Sequence, residues 1–216
     1  MKSGPSDACA GARLNVIVLF RVAGSLAIRK RRNTNVDYDV KLYGSAVLKQ
    51  PAVPVARVDD AIRQLAKDML RAMYRHNGLG LAAQQIGRRE AICVLDVPAR
   101  RQGPNGADIV ENPEVPMPLV LLNPRITAQA GSETAQEGCL SFPDIYVAIC
   151  RPRQVTVEFM NLEGAAQALT VVGLLARAVL HEIDHLNGVL LVDRMSTAQR
   201  VALAGKLRRL KRSATT

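Results

Sequence analysis

The stretch 174-LLARAVLHEIDHLNG-188 contains the strongest chemical signal in this sequence. Its apolar residues recur at three- and four-residue intervals, which predicts a helix over 174–187, and Gly188 is well placed to end it. His181 and His185 are four residues apart, so both imidazoles lie on one face of the helix, one turn from each other. Glu182 lies beside them. Two such histidines can bind one metal ion, and a neighbouring carboxylate can take a proton from a water on that ion.

A catalytic metal site of this type needs a third protein ligand. Zinc proteases usually supply it downstream, as a Glu on a later helix or as the last His of HExxHxxGxxH. That last position is Leu191 here, and neither His nor Glu follows His185. The third ligand must therefore lie upstream, where the candidates are Cys9, His76, Cys93, Cys139 and Cys150.

Among these candidates Cys139 is favoured, because it lies in 137-EGCLSFP-143, where a glycine-containing turn enters an extended segment. Cys93 and Cys150 fall in apolar, strand-like runs and are expected to be buried thiols. His76 is expected to be a capping or surface histidine at the end of a helix.

A second glycine-containing stretch is 78-GLGLAAQQIG-87. It lacks the Lys-Ser/Thr pair of a P-loop and the third glycine of a dinucleotide-binding loop, which argues against nucleotide binding. Closely spaced Gly and Ala instead indicate a backbone that a ligand or another chain segment approaches closely. Gln85 could then direct its amide into a pocket. A compact turn packed on the core is the alternative.

The remaining pattern predicts an α+β domain, with small antiparallel or mixed β-sheets around the helix that carries the two histidines, and with an N-terminal and a C-terminal helix. The predicted elements are an extended lead-in over 47–55, a helix over 58–76 capped by Asp59 or Asp60 and ended at 77-NG-78, strands at 91–97, 119–123, 154–160 and 167–172, a long surface loop over 98–118, and a last helix over 196–211.

The formal net charge of +10 is concentrated at the two ends of the chain. Residues 1–36 hold seven basic residues against Asp7 alone, and 206-KLRRLKR-212 holds five more. Between 37 and 205 there are 17 basic and 18 acidic residues, so the body is almost neutral. A basic groove through the fold, and with it specific DNA binding, is therefore not expected.

This distribution predicts a basic N-terminal extension over 1–36, either disordered or a targeting segment, then a catalytic domain over 37–196 and a basic C-terminal helix and tail over 197–216. Four scattered cysteines favour a reducing compartment. No apolar run reaches the roughly 18 residues that a membrane span needs, so no membrane partner is expected. We expect a cytoplasmic protein, with organelle targeting by the extension left open.

Three of these stretches, in this order, resemble the peptide deformylase family: 78-GLGLAAQQ-85, 137-EGCLS-141 and 181-HEIDH-185. The resemblance runs from about Val40 to Arg194. One motif alone would be weak evidence, whereas three in order are very specific. The resemblance implies one divalent metal ion, most often Fe(2+) with Zn, Ni or Co as alternatives, bound by Cys139, His181 and His185.

The resemblance also implies a hydrolase that removes the N-formyl group from the N-terminal methionine of newly synthesised polypeptides and releases formate. A water on the metal would attack the formyl carbon while Glu182 acts as general base and then as general acid. The Gln85 amide and the Leu140 backbone N–H would stabilise the oxyanion, and Gly80 would meet the substrate main chain. The methionine pocket would be lined by Leu79, Ile86 and His181 and bordered by Phe142.

Two alternatives stay open: another metal-dependent amidase or peptidase on the same scaffold, and an inactive homologue docked at the ribosome. The intact Glu182 and Gln85 argue against the second.

Two residues depart from the pattern that is familiar in the family. Leu180, directly before HExxH, replaces a residue that is often Gln, and Gln84 replaces one that is more often Pro, Thr or Asn. Both departures affect kinetics more than reaction type. The basic stretch 206–212 is expected to contact ribosomal RNA, with a solvated helix end as the alternative.

Overall fold

This computed structural model describes Arg21–Val22, Ser25–Leu26 and residues 36–102, 106 and 108–214. The chain divides into two compact units, Met1–Asn35 and Val36–Thr216. In the first unit, strands β1 (Arg21–Val22) and β2 (Ser25–Leu26) form an antiparallel pair. The other residues of the basic extension, up to Asn35, lie outside the described residues. The prediction that this extension is disordered or a targeting segment therefore stays a prediction.

The second unit begins with a 3-10 helix at Ala46–Lys49 and helix α1 at Asp60–Arg75. The lead-in predicted over 47–55 is therefore not extended throughout. The 3-10 helix turns the side chain of Leu48 into the core, where it is completely buried. The side chain of Asp59 accepts a hydrogen bond from the Ile62 N–H at 3.0 Å and caps α1, as predicted. The left-handed conformation beyond the helix is taken by Asn77, at φ 55°, rather than by the glycine that follows it.

The elements that follow are β3 (Gly80–Ala82), a 3-10 helix (Ala83–Ile86), β4 (Ile92–Leu95), β5 (Arg100–Gln102), β6 (Asp108–Val110), β7 (Leu119–Ala130), β8 (Glu133–Cys139), β9 (Phe142–Arg151), β10 (Gln154–Met160), β11 (Ala166–Val172), α2 (Gly173–Leu186), α3 (Leu191–Arg194) and α4 (Thr197–Ser213). Five strands form an antiparallel sheet in the order β11-β10-β7-β4-β3. The pairs β5–β6 and β8–β9 are separate hairpins. The α+β prediction is confirmed.

The central sheet is covered by α1 on one face and by α2 on the other. We call the apolar cluster that includes Leu65, Met69 and Met73 the cluster of α1, and the one that includes Leu175, Val179 and Ile183 the cluster of α2. Side chains alternate along a strand, so Ile92 and Val94 of β4 pack in the cluster of α1. Cys93 and Leu95 of the same strand pack in the cluster of α2. Cys93 is thus the buried thiol that the sequence predicts. The apolar side chains of α2, among them Leu175, Val179 and Ile183, pack against one face of the sheet and hold the helix there.

The hairpin β8–β9 packs with α3 and α4 in a third apolar cluster. Ile145, Val147 and Ile149 are buried on its inner face. Cys150 lies between Ile149 and Arg151 and therefore on the opposite face, where it is exposed. The expectation that Cys150 is a buried thiol was wrong. One face of β9 packs on the core and the other faces solvent, so only alternate residues of its apolar run are buried.

The segment predicted as a long loop over 98–118 contains the β5–β6 hairpin and is tied to the start of α2. The Asn112 side chain donates to the Val172 carbonyl at 3.0 Å and accepts from the Val172 N–H at 2.9 Å. Gly188, with φ 71°, follows the last turn of α2 as predicted. Within the described part of the chain, no helix is both long and apolar enough to cross a bilayer.

Candidate active site

The structure brings the three predicted metal ligands together. His181 and His185 project from one side of α2 with ring centroids 5.1 Å apart. Cys139 is the last residue of β8, and its Sγ lies 3.3 Å from His185 Nε2. One ligand atom from each of the three side chains lies within 4.8 Å of the others. One cation can therefore contact all three.

The chemistry of these side chains fits a divalent transition metal. A thiolate and two imidazoles form a donor set suited to zinc or iron. Burial lowers the pKa of His185 well below its usual value, which keeps this imidazole neutral, the form that binds metals. For His181 burial also lowers the pKa, but its contacts with Cys139 and Glu137 outweigh this and raise the pKa well above its usual value. The raised pKa favours a protonated His181, and a cation bound among these groups would take the place of the extra proton on this imidazole.

Glu182 lies beside the three ligands with 3% of its surface exposed. Burial raises the pKa of its carboxyl group to about 7, against the opposing effect of His181 and Arg151. Its Oε2 has no hydrogen-bond partner among the described residues. A Cβ at Gly80 would collide with this carboxylate, so only glycine permits the close approach of β3 to Glu182. The arrangement places a proton acceptor at the edge of the sheet.

Gln85 reaches the same place from the 3-10 helix after β3. Its Oε1 accepts a hydrogen bond from the Ala82 N–H at 2.8 Å, which fixes the orientation of the amide. Its Nε2 then points at the turn after β8, 3.6 Å from Cys139 Sγ and 3.5 Å from Ser141 Oγ. Leu140 lies in that turn. Two hydrogen-bond donors of the type needed for an oxyanion, a side-chain amide and a backbone N–H, are therefore neighbours of the ligand group.

A cavity of about 430 Å³ opens over these groups. The predicted site residues on its wall are Leu79, Gly80, Gln85, Cys139, Leu140, His181 and Glu182. Ile86 and Phe142 do not line it, because both side chains are directed into the core and are 3% and 1% exposed. Residues that the sequence did not indicate for the wall include His76, Tyr146, Leu174, Arg177 and Ala178. Leu174, Arg177 and Ala178 lie on α2 at three- and four-residue intervals on the face of His181, so the helical period could have indicated them. His76 and Tyr146 come from other elements, and no spacing along the chain connects them with His181.

A buried ion network supports the ligand group from behind. The Glu137 carboxylate accepts from Arg151 Nε at 2.6 Å and from Arg151 Nη2 at 2.9 Å, and Arg177 Nη1 donates to it at 2.6 Å. His181 Nδ1 lies 3.2 Å from Glu137 Oε2, the same oxygen that accepts from Arg151 Nη2. Burial would raise the pKa of Glu137, but the contacts with His181 and Arg151 lower it to about 2. Since Nδ1 faces Glu137, Nε2 of His181 is left for a metal.

The same network extends to the end of α2. Arg151 Nη1 donates to Asp184 at 2.8 Å, and Arg194 Nε donates to Asp184 at 2.9 Å. Glu137 and Asp184 lie inside the two motifs already quoted, so their positions could have been noticed from the sequence. Of the three arginines that bind them, Arg177 lies in the quoted stretch 174–188, four residues before His181, whereas Arg151 and Arg194 carry no such signal.

Comparison with known proteins gives one consistent result. Residues 38–201 match the sequence profile of the family described as Polypeptide deformylase. A peptide deformylase from Synechococcus sp. strain RCC307 is 39% identical over 191 residues, which is 88% of either chain. One from Thermosynechococcus vestitus is 42% identical over 175 residues, 81% of this chain and 87% of the relative. The crystal structure of a peptide deformylase from Synechococcus elongatus in complex with actinonin has a TM-score of 0.68 and 42% identity, and covers 78% of this chain and 87% of that one.

The Glu137→Ala substitution is expected to lower the free energy of unfolding by about 3–5 kcal/mol, because it leaves Arg177 buried without a carboxylate partner and Arg151 with Asp184 alone. The matched control is Glu158→Ala, which removes an exposed strand ion pair with Arg125 at 2.8 Å and should lower that free energy by less than about 1 kcal/mol. Urea unfolding of both variants, with a chelator present, measures the difference. Equal losses would contradict the role given to the network.

Proposed function

The chain belongs to the polypeptide deformylase family, and we propose that it hydrolyses the formyl group from the N-terminal methionine of newly synthesised polypeptides, with release of formate. The observation that carries the proposal is the convergence of Cys139, His181 and His185 next to Glu182. Cys139, His181 and Glu182 line one cavity, and His185 is buried beside them. A metal site with a neighbouring buried carboxylate is suited to the hydrolysis of an amide by water.

We propose one divalent cation as the cofactor, held by Cys139, His181 and His185. Fe(2+) is the first choice through the family resemblance, and Zn, Ni or Co could bind the same donors. When bound, such a cation lowers the pKa of a coordinated water towards neutrality and polarises a carbonyl oxygen.

The protein groups around the cavity would divide the remaining work. Glu182 takes the proton of the attacking water and then passes it to the nitrogen of the departing amine. The Gln85 amide and the Leu140 N–H donate hydrogen bonds to the oxygen that becomes negatively charged, and one such donor is typically worth about 10²–10³ in rate. Gly80 leaves room along β3 for the substrate main chain. The apolar wall at Leu79 suits an unbranched methionine side chain.

The substrate class is tested under anaerobic conditions by following the free amino group that hydrolysis produces, with formate measured as well for the formylated peptide. Formyl-Met-Ala-Ser is expected to be hydrolysed, whereas acetyl-Met-Ala-Ser and the free peptide are expected to be inert. Comparable turnover of the acetylated peptide would favour a general metal-dependent amidase on this scaffold.

The same assay tests the role of Glu182. Glu182→Gln keeps the shape of the side chain and should lower turnover by about 10²–10⁴, the usual worth of a general acid-base group. Its metal content, measured on the same sample, should equal that of the wild type. The matched control is Glu163→Gln, in an exposed turn, which should retain full turnover. A fully active Glu182→Gln protein would remove this residue from the mechanism.

We also propose that α4 brings the protein to the ribosome in the cytoplasm, where new formylated chains emerge. Leu207 is buried against the third apolar cluster, whereas Lys206, Arg208 and Arg209 are exposed. A helix held by one apolar face and basic on the other can bind the phosphate backbone of ribosomal RNA.

Replacing Lys206, Arg208 and Arg209 by Gln is expected to reduce co-sedimentation with ribosomes at low salt, and the remaining binding should fall less steeply as salt rises. These changes spare the buried leucines, so folding should be kept.

The control carries the same change of charge on other surfaces, with Gln at Arg57, Lys67 and Arg100, which are all exposed. It should co-sediment like the wild type. Equal binding by both triple variants would contradict recruitment through α4.

A further inference from the structure

The segment Lys41–Tyr43, which we call the strap, connects the two parts of the chain that supply the oxyanion donors. The Lys41 N–H donates to the Gln85 carbonyl at 2.7 Å, and the Tyr43 N–H donates to the Ser141 carbonyl at 2.9 Å. Gln85 follows β3, and Ser141 directly follows Leu140 in the turn of the β8–β9 hairpin. The strap thus hydrogen-bonds to both donor-bearing segments within three residues.

The strap is itself anchored by an aromatic contact. The Tyr43 ring stacks on Phe142 with centroids 4.8 Å apart and an angle of 28° between the ring planes. Phe142 is 1% exposed, so this partner is fixed in the core. Tyr43 is not on the wall of the cavity. An effect of Tyr43 on the reaction would therefore be indirect, through the segments that Tyr43 contacts.

Among the direct contacts between the two donor-bearing segments, the one to an oxygen, Ser141 Oγ, is long by comparison, whereas the one to the larger sulfur of Cys139 has an ordinary length. Gln85 Nε2 lies 3.5 Å from Ser141 Oγ and 3.6 Å from Cys139 Sγ. An N–H donor and an oxygen acceptor normally lie about 2.9 Å apart, so the bond to Ser141 is weak. The two strap bonds are close to that ideal length. Misplacement by about 1 Å can cost about 10²-fold in rate, so the two strap bonds can contribute to this geometry, beside the Ala82 N–H bond that orients the Gln85 amide.

We propose that the strap, anchored by Tyr43, positions the Gln85 amide relative to the Leu140 N–H. Tyr43 is a positioning residue in this scheme, and the inference rests on the proposed function for the role of the two donors. Loss of the aromatic ring should loosen the strap and let the donors drift apart, with little effect on substrate binding.

A double-mutant cycle tests the inference. Tyr43→Ala should lower kcat about tenfold with KM changed less than about twofold, and Tyr43→Phe, which keeps the ring, should restore kcat. In a Gln85→Ala background the same Tyr43→Ala change should lower kcat less than about twofold, because its target is already gone. The matched control is Tyr38→Ala, which removes another partly buried tyrosine, three residues before the strap, that packs against the cluster of α1.

A second measurement does not depend on activity. In the chelated protein, the NMR signals of the Gln85 side-chain amide and the Leu140 N–H should shift in Tyr43→Ala and stay in place in Tyr38→Ala. Equal kcat losses in both backgrounds, or equal shifts in both tyrosine variants, would overturn the strap. A wild type that releases no formate would instead overturn the proposed function, while the NMR comparison would still decide the strap.

Discussion

The buried carboxylate of Glu137 is the contact on which the candidate site depends. It lies on β8 two residues before Cys139, and it binds Arg177 and His181 on α2. The hairpin and the helix belong to distant parts of the chain, and their shared carboxylate sets how the sulfur of Cys139 meets the two imidazoles. Because Glu137 is held by Arg151 as well, its position leaves little freedom.

A network of this kind is a poor source of net stability. Buried ions lose their hydration, and apolar side chains of the same volume would often serve stability as well or better. Its value here is geometric, because each carboxylate oxygen has its own partners and His181 is left in one orientation. The apolar contacts of α2 with the sheet supply the stability, and the ion network supplies the alignment.

The central features were within reach of sequence reasoning because they are local or regular. Two histidines four residues apart need only one helix, and α1 and α2 each carry a clear apolar period. Cys139 was favoured by its glycine-containing turn and then by family resemblance. Gln85 is indicated by its glycine-containing stretch as well as by the resemblance, and Leu140 and Gly80 by the resemblance alone. The structure places all three at one cavity.

The remaining features depend on tertiary contacts that no short pattern carries. The polar strand β8, 133-ETAQEGC-139, lacks the apolar alternation that marks a strand. The exposure of Cys150 depends on which face of its hairpin meets the core. Arg151 and Arg177 reach Glu137 from 14 and 40 residues away. The inward orientation of Ile86 and Phe142 likewise follows from packing, not from residue type.

The most direct test of this account is X-ray absorption spectroscopy of protein purified anaerobically, at the edge of the metal found by elemental analysis. The account predicts one metal ion per chain, with one sulfur at about 2.3 Å and two imidazole nitrogens in its first coordination sphere. It also predicts that the sulfur signal disappears in Cys139→Ser. A metal bound without sulfur, or a sulfur signal that survives this substitution, would contradict it.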